Sequence, residues 1–487
     1  MSLPSTPTAI PPRRGWTLAI VSIALFMTAL DNLVVGVALP SIRIDLGGSL
    51  ESLEWTVNAY TLAFAVLLIT GAALGDRFGR RRMFIVGLSI FTVASALAAL
   101  APSTGLLIAA RAIQGLGAAF VMPLTLTLIS EAFPVAKRGV ALGIWAGVSG
   151  LGVALGPFVG GAVVEGLAWQ WIFWLNVPIG LVLLPLARRL LTESHGPGKQ
   201  LDLPGLALIG GGLFGITFGI IRATTLGWTS ATVIVSLVVG AVLVAAFVWW
   251  ELRAPAPMLP MRFFCSRAFS ATNGASFAMF FGVFGAIFLL SQFFQTAQGY
   301  GPLEAGLRTL PWTAMPMLVA PLAGAFSDRI GARPLMAAGL ALQAGAIGWL
   351  ALVCTPQVAY GSLLVPLIMG GTGMALVFAP SANAVLAAVR PEEAGQASGA
   401  TNAIRELGGV MGVAVLASVF SANGSYVSQQ AFNDGLVAAL PIGATVLAVG
   451  AVMALFVPGV RASRVVPVVA VAAAAESSES ETAPAFV

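Results

Sequence analysis

Residues Gly71–Arg82 read GAALGDRFGRRR, and residues Gly324–Arg333 read GAFSDRIGAR. Both carry Asp-Arg-x-Gly-x-Arg, at Asp76–Arg81 and again at Asp328–Arg333. Each follows one apolar run and precedes another. The glycine lets the chain turn sharply between two antiparallel helices, and the arginines hold such a loop on the inner side of a membrane. The repeat predicts two similar halves, an arrangement used by secondary transporters that work around a midplane site.

Outward from these loops the chain is almost continuously apolar. Of its 487 residues 58% are hydrophobic and 9% charged, with a mean hydropathy of +0.95. A soluble domain carries about 25% charged residues, so the composition excludes one and leaves an all-α polytopic membrane protein. The apolar runs are continuous rather than alternating, which excludes a β-barrel. Fourteen segments are expected, at 15–39, 55–74, 83–100, 106–129, 140–164, 171–187, 203–221, 232–250, 270–294, 307–326, 334–353, 362–385, 400–420 and 436–456. The repeated loops follow the second and the tenth, so two six-helix bundles (15–187 and 270–456) flank an inserted region, 188–269, that holds the seventh and eighth. A cytoplasmic tail, 1–14, and a disordered tail, 457–487, complete the expected plan.

With the N-terminus inside, 19 of the 24 Lys and Arg residues fall in inner loops and tails. Arg43, Arg222 and Arg308 fall outside, and Arg111 and Arg405 within or beside spans. This bias supports an even number of crossings with both termini cytoplasmic. The net charge of +5 is explained by topology, so no nucleic-acid partner is implied. Cys265 and Cys354 are expected near opposite faces, and with the single His195 they make no metal site.

An ionisable side chain inside a span is a functional candidate by default. Asp31 lies about 12 Å below the outer end of the first segment, and Arg111 about 7–8 Å below that of the fourth. A contact between them is open if those helices are neighbours. Burial disfavours a charged carboxylate and a guanidinium favours it, so the pair suits proton coupling; a static ion pair is the alternative. Gln114 lies one turn from Arg111 on the same face. Asp76 sits where it would accept hydrogen bonds from helix N-termini or basic side chains, contacts that form in one conformation and break in another.

In the fifth segment Gly152, Gly156 and Gly160 share one face and permit close helix contact, with Pro157 and Gly161 beside them. A hinge or seal, and simple close packing, are both open. Phe277, Phe280, Phe281, Phe284 and Phe288 draw a stripe along the ninth segment, either lining a cavity for a flat organic molecule or facing lipid or the core. Arg405 and Glu406 are expected to anchor the inner end of the thirteenth segment.

Together these segments resemble the major facilitator superfamily, and within it the 14-helix drug:proton antiporter branch. The cytoplasmic loop motif is matched by Leu74, Asp76, Arg77, Gly79, Arg80 and Arg81; its usual first glycine is Ala72, while the second copy keeps Gly324 with Asp328 and Arg329. RAIQGLGAA matches through Arg111, Gln114, Gly115 and Gly117, and GVALGPFVGG matches the antiporter motif. LDNLVVGVALP keeps Leu30, Asp31, Ala38, Leu39 and Pro40, with Leu33 and Gly36 in place of a usual Thr and Asn. Trp171, Phe173, Asn176, Pro178 and Gly180 match the entry to the sixth helix, where Gln170 replaces a usual Arg.

The resemblance implies a monomeric secondary transporter of the cell membrane. It would export drug- or antibiotic-class molecules in exchange for protons, with no cofactor beyond the proton gradient. A proton-coupled nutrient importer on the same fold is the alternative. No phosphate-binding loop and no catalytic constellation is present, so an ATP-driven pump and an enzyme are disfavoured.

Overall fold

The computed structural model describes residues 14–133, 135–196, 202–389 and 394–458. The expected tails, 1–14 and 457–487, lie almost wholly outside these residues. Among those described, every regular element is helical. In chain order these are α1 (Arg14–Leu46), α2 (Leu50–Phe78), α3 (Arg80–Ala99), α4 (Thr104–Ala132), α5 (Val135–Gly166), α6 (Trp171–Leu190), α7 (Leu203–Leu226) and α8 (Ala231–Glu251). The second part holds α9 (Arg267–Ala297), α10a (Pro302–Thr313), α10b (Met315–Ile330), α11 (Ala332–Val353), α12 (Tyr360–Ala387), α13 (Ala394–Asn423) and α14 (Gln429–Ala454).

Each expected segment coincides with helix. Eleven helices are long and apolar enough to cross a membrane, and twelve if Leu50–Leu68 and Thr70–Phe78, bent by 50°, form one span. The expected fourteen crossings therefore exceed what length and apolarity establish among the described residues.

Several ends differ from the sequence expectation for one reason: hydropathy marks the part of a helix that matches hydrocarbon, while backbone hydrogen bonding carries the helix further. Thus α1 runs through Pro40 to Leu46, and α2 starts at Leu50, capped by Ser49, whose side chain accepts the Ser52 amide. The polar stretch AGQASGATN begins α13, so Arg405 lies about 16 Å into that helix. It is 5% exposed rather than an anchor at the inner end. The tenth segment breaks at Ala314, ahead of Pro316 in the first turn of α10b.

Two turns need glycine. Gly79 between α2 and α3 has φ 107°, and Gly331 between α10b and α11 has φ 88°, backbone states that an L side chain adopts only under strain. The repeated loop thus folds alike in both halves.

The halves meet where α1 and α5 pack on α9 and α10a, and where α2 packs on α13. The inserted α7–α8 hairpin lies along the second seam. Ile220 and Ile221 of α7 share an apolar cluster with Ala414 of α13 and Trp55 of α2, and Arg222 pairs with Glu51 at 3.3 Å.

Candidate functional site: a buried carboxylate network

Asp31 is 2% exposed, and Arg111 and Gln114 are fully buried. The structure brings all three together. Arg111 Nη1 donates to Asp31 Oδ2 at 2.5 Å and to Gln114 Oε1 at 2.7 Å. Gln114 Nε2 donates to Asp31 Oδ1 at 2.8 Å and to Ser95 Oγ at 2.9 Å. Asn176, on α6, adds a third donor to Asp31, at 2.7 Å. Arg111 Nε donates to the Thr56 carbonyl at 3.2 Å, and the guanidinium lies 4.2 Å from the centre of the Tyr60 ring. One carboxylate thus joins α1, α4 and α6, with α2 and α3 bonded to its partners. Arg111 Nη2 and Asn176 Oδ1 remain buried without a hydrogen-bond partner.

The helix packing explains how a charge network fits here. Gly115, one residue past Gln114, lies against the backbone of Tyr60, and Gly117 against that of Phe91. These close approaches draw α4 onto α2 and α3. In water an Arg–Asp contact contributes little; in this enclosed site removing one partner strands the other, at a cost of several kcal/mol.

At the C-terminal end of α2, Arg80 Nε donates to Asp76 Oδ1 at 2.8 Å and Arg80 Nη1 to Glu131 of α4 at 2.5 Å. The chain after α6 grips the same loop. The Gly196 amide donates to the Asp76 carbonyl at 3.1 Å, and the Arg80 amide to the Ser194 carbonyl at 2.9 Å. Glu193 Oε1 accepts the Arg81 amide at 2.9 Å. Arg77 is exposed, with its guanidinium 5.3 Å from the Phe78 ring centre. These contacts join the first bundle to itself and to the start of the segment that follows it. In the second copy Arg329 is exposed, and the Asp328 side chain lies outside the described residues.

The glycines of α5 face two ways. Gly152, Gly156 and Gly160 pack on α1: a methyl at 156 would stand 2.8 Å from Leu33 Cβ, and one at 160 would stand 3.0 Å from the Val34 carbonyl oxygen. Gly161 instead abuts the Pro302 carbonyl of α10a, and the Pro157 carbonyl abuts Gly306. Glu165 Oε2 accepts the Leu303 amide at 2.9 Å, where an acid suits the N-terminus of α10a. From α9, Ser291 Oγ donates to the Gly36 carbonyl at 3.1 Å and Gln295 Nε2 to that of Val37 at 2.9 Å. The halves are therefore bonded together across α1/α9 and α5/α10a.

The phenylalanine stripe of α9 divides. Phe280 stacks on Phe284 at 5.3 Å between ring centres and on Phe378 of α12 at 6.2 Å. Phe277 and Phe281 back onto α13, where their carbonyls meet Gly408 and Gly412, and Phe288 is buried in the apolar core. Arg405 lies 4.9 Å from the Phe378 ring centre and donates to Ser381 Oγ at 2.7 Å. Its neighbour Glu406 keeps Oε2 buried without a partner. The second half thus holds an acid where the sequence suggested none of consequence.

Glu54 and Asn58 of α2 are fully buried, yet the sequence reading left Glu54 in a loop, one residue outside the expected span. Their i, i+4 spacing in a helix was the available signal. Among the described residues, no group of three or more His, Cys, Asp or Glu side chains could hold a metal ion.

The chain is similar to known proteins over most of its length. A profile of the Major Facilitator Superfamily matches residues 21–413. The chain is 38% identical over 408 residues to the "Multidrug resistance protein Stp" of Mycobacterium tuberculosis, covering 83% of this chain and 76% of that one. It is 40% identical over 414 residues to the "Cephamycin export protein CmcT" of Amycolatopsis lactamdurans, covering 82% and 84%. Among solved structures, an auto-inhibited POT family peptide transporter superposes with a TM-score of 0.67 at 16% identity, covering 93% of this chain and 98% of that one; this likeness concerns the fold alone.

Proposed function

The chain belongs to the major facilitator superfamily, and from this we propose that it exports organic molecules of the drug or antibiotic class from the cytoplasm, in exchange for protons and by alternating access. The names of its relatives, a multidrug resistance protein and an antibiotic export protein, support the substrate class. The proposal includes fourteen crossings of the cell membrane, cytoplasmic termini, a working monomer, and a carrier role rather than enzyme catalysis.

The observation that carries proton exchange is the convergence of three N–H donors on Asp31. An ionised carboxylate is acceptor-only, whereas a protonated one gives up acceptor capacity and becomes a donor itself. Proton binding therefore competes with the bonds from Arg111, Gln114 and Asn176.

The same helix carries the link to conformation. Ser291 and Gln295 of the second half hold the carbonyls of Gly36 and Val37, one to two turns from Asp31. Parting the halves at their outer ends breaks those bonds and releases this stretch of α1. Asp31 then shifts against α4 and α6, loses donors and accepts a proton. Reclosure restores the donors and expels it. The α5 glycine faces permit the tight outer closure that keeps protons from leaking meanwhile.

The test is transport in proteoliposomes under an imposed pH gradient, with a panel of lipophilic cations, zwitterions and neutral drugs. Accumulation of a substrate against its gradient, opposite in direction to proton flow, is expected. Movement in the same direction as protons marks an importer and overturns the reading.

A further inference from the structure

Glu54 has no hydrogen-bond partner for either carboxylate oxygen, and Asn58, one turn deeper on α2, has none for its amide nitrogen or oxygen. Both side chains are fully buried. Four polar atoms of two neighbouring side chains thus lie out of solvent with nothing to satisfy them. Protonation does not resolve the matter, because a neutral carboxyl brings an O–H donor that also needs an acceptor. An unpaired buried polar group is costly, and two together mark a place where something binds.

The chemistry of the pair selects the guest. Glu54 offers two acceptor oxygens and Asn58 one, with an amide that turns to suit. The nearby guanidinium groups are engaged elsewhere. Arg111 pairs with Asp31, Arg222 pairs with Glu51, and Arg43 lies 3.8 Å above the Tyr426 ring centre. Tyr426 in turn donates to Gln292 Oε1 at 2.5 Å. Burial pushes the Tyr426 phenol upward, Arg43 opposes this and Glu54 adds to it, so the acid lies within electrostatic reach of this ring. Leu53 and Val57, flanking Glu54 on α2, belong to the same buried apolar cluster as Phe280, Phe281 and Phe288 of α9.

We propose that Glu54 and Asn58 form a binding subsite for the cationic group of an organic substrate, in the outer half of the path and beneath the Arg43–Tyr426 contact. The carboxylate neutralises the charge, the amide orients it, and the neighbouring apolar cluster takes the flat remainder. The position, about 6 Å from the outer end of α2, makes it the last polar contact before the substrate leaves. The proposal rests on the export reading above for its direction only.

Ethidium serves as the probe, in equilibrium fluorescence titrations of the purified full chain without a pH gradient. Glu54→Gln removes the charge and keeps the shape, and should weaken ethidium binding by about tenfold or more, as expected when one partner of a buried charge contact is removed. Its thermal midpoint should stay at or above that of the parent, which a merely structural role would not allow. Asn58→Asp adds a second acid and should tighten binding; it carries the test if Glu54→Gln does not fold. The proposal is overturned if the parent does not bind ethidium, if Glu54→Gln binds within about twofold of the parent, or if Asn58→Asp does not tighten binding. Because no gradient is involved, a lost pH-driven flux in vesicles with intact Glu54-dependent binding refutes export and leaves the subsite standing. Gradient-driven export with Glu54-independent binding does the reverse.

Discussion

Arg111 Nη1 and Asp31 Oδ2 stand 2.5 Å apart with both side chains sealed from solvent. The pair ties α4 to α1 inside the first bundle. Its guanidinium is further held by Gln114, the Thr56 carbonyl and the Tyr60 ring, so the geometry is set from three helices rather than by the ion pair alone.

Breaking this pair from one side should be expensive. Arg111→Ala strands the carboxylate and should cost about 3–5 kcal/mol, read as a large fall in thermal midpoint in detergent. The double variant Asp31→Asn/Arg111→Ala should recover part of that loss, because neither charge is left alone. Additive losses in the double variant would mean that the two side chains are not energetically coupled.

The close contact between α5 and α10a depends on the absence of one methyl group. Gly161 lies directly against the Pro302 carbonyl, so Gly161→Ala should push α10a away, loosen the Glu165–Leu303 contact and reduce transport by about tenfold or more, on the scale of a small displacement in a working site. Gly166→Ala, where no atom lies within 4 Å, should transport normally. Equal activity in both variants would remove the seal from the account.

Asp76 and Arg80 pair at the first repeated loop, with Glu131 as the second partner of Arg80, and the gating role proposed for them is open to test. Asp76→Asn keeps an acceptor for Arg80 and loses the charge, so folding should survive while turnover falls several-fold. Charge-assisted hydrogen bonds are roughly twice as strong as neutral ones. Unchanged turnover would leave the loop with a topological role only.

Much of this was legible in the sequence because it depends on local pattern. The Asp-Arg-x-Gly loops announced two halves, and Asp31 and Arg111 stood out because charge is rare in spans. Their depths, counted by helical rise, already allowed contact. What could not be read depends on which faces meet. Hydropathy windows stop short of polar helical turns and so put Glu54 and Arg405 at helix ends, whereas packing buries both, Arg405 against Phe378 and Ser381 of α12. The α9 phenylalanines share a face as expected, but glycines of α13 take up part of that face. Asn176 carried a motif match, and only the fold shows that its amide completes the donor set on Asp31.

The two cysteines report on sidedness and burial together. Cys265 is exposed and Cys354 buried, and burial pushes the Cys354 thiol up to about 12. The thiolate is the reactive form, so a thiol held that high stays unreactive as pH rises from 7 to 9. A membrane-impermeant maleimide should label Cys265 in inside-out vesicles and not in right-side-out ones, and should leave Cys354 untouched in both. Labelling of Cys265 from the outer side would reverse the orientation inferred from the arginines.

The claim at the centre is that Asp31 carries the exchanged proton. It is tested most directly by substrate-induced proton release from the purified protein in weakly buffered detergent solution, compared between the parent chain and Asp31→Asn. Release on substrate addition is expected in the parent and none in the variant, with gradient-driven export lost as well. Undiminished release together with export at the parental rate in Asp31→Asn would contradict it, and would leave the carboxylate a structural member of the network.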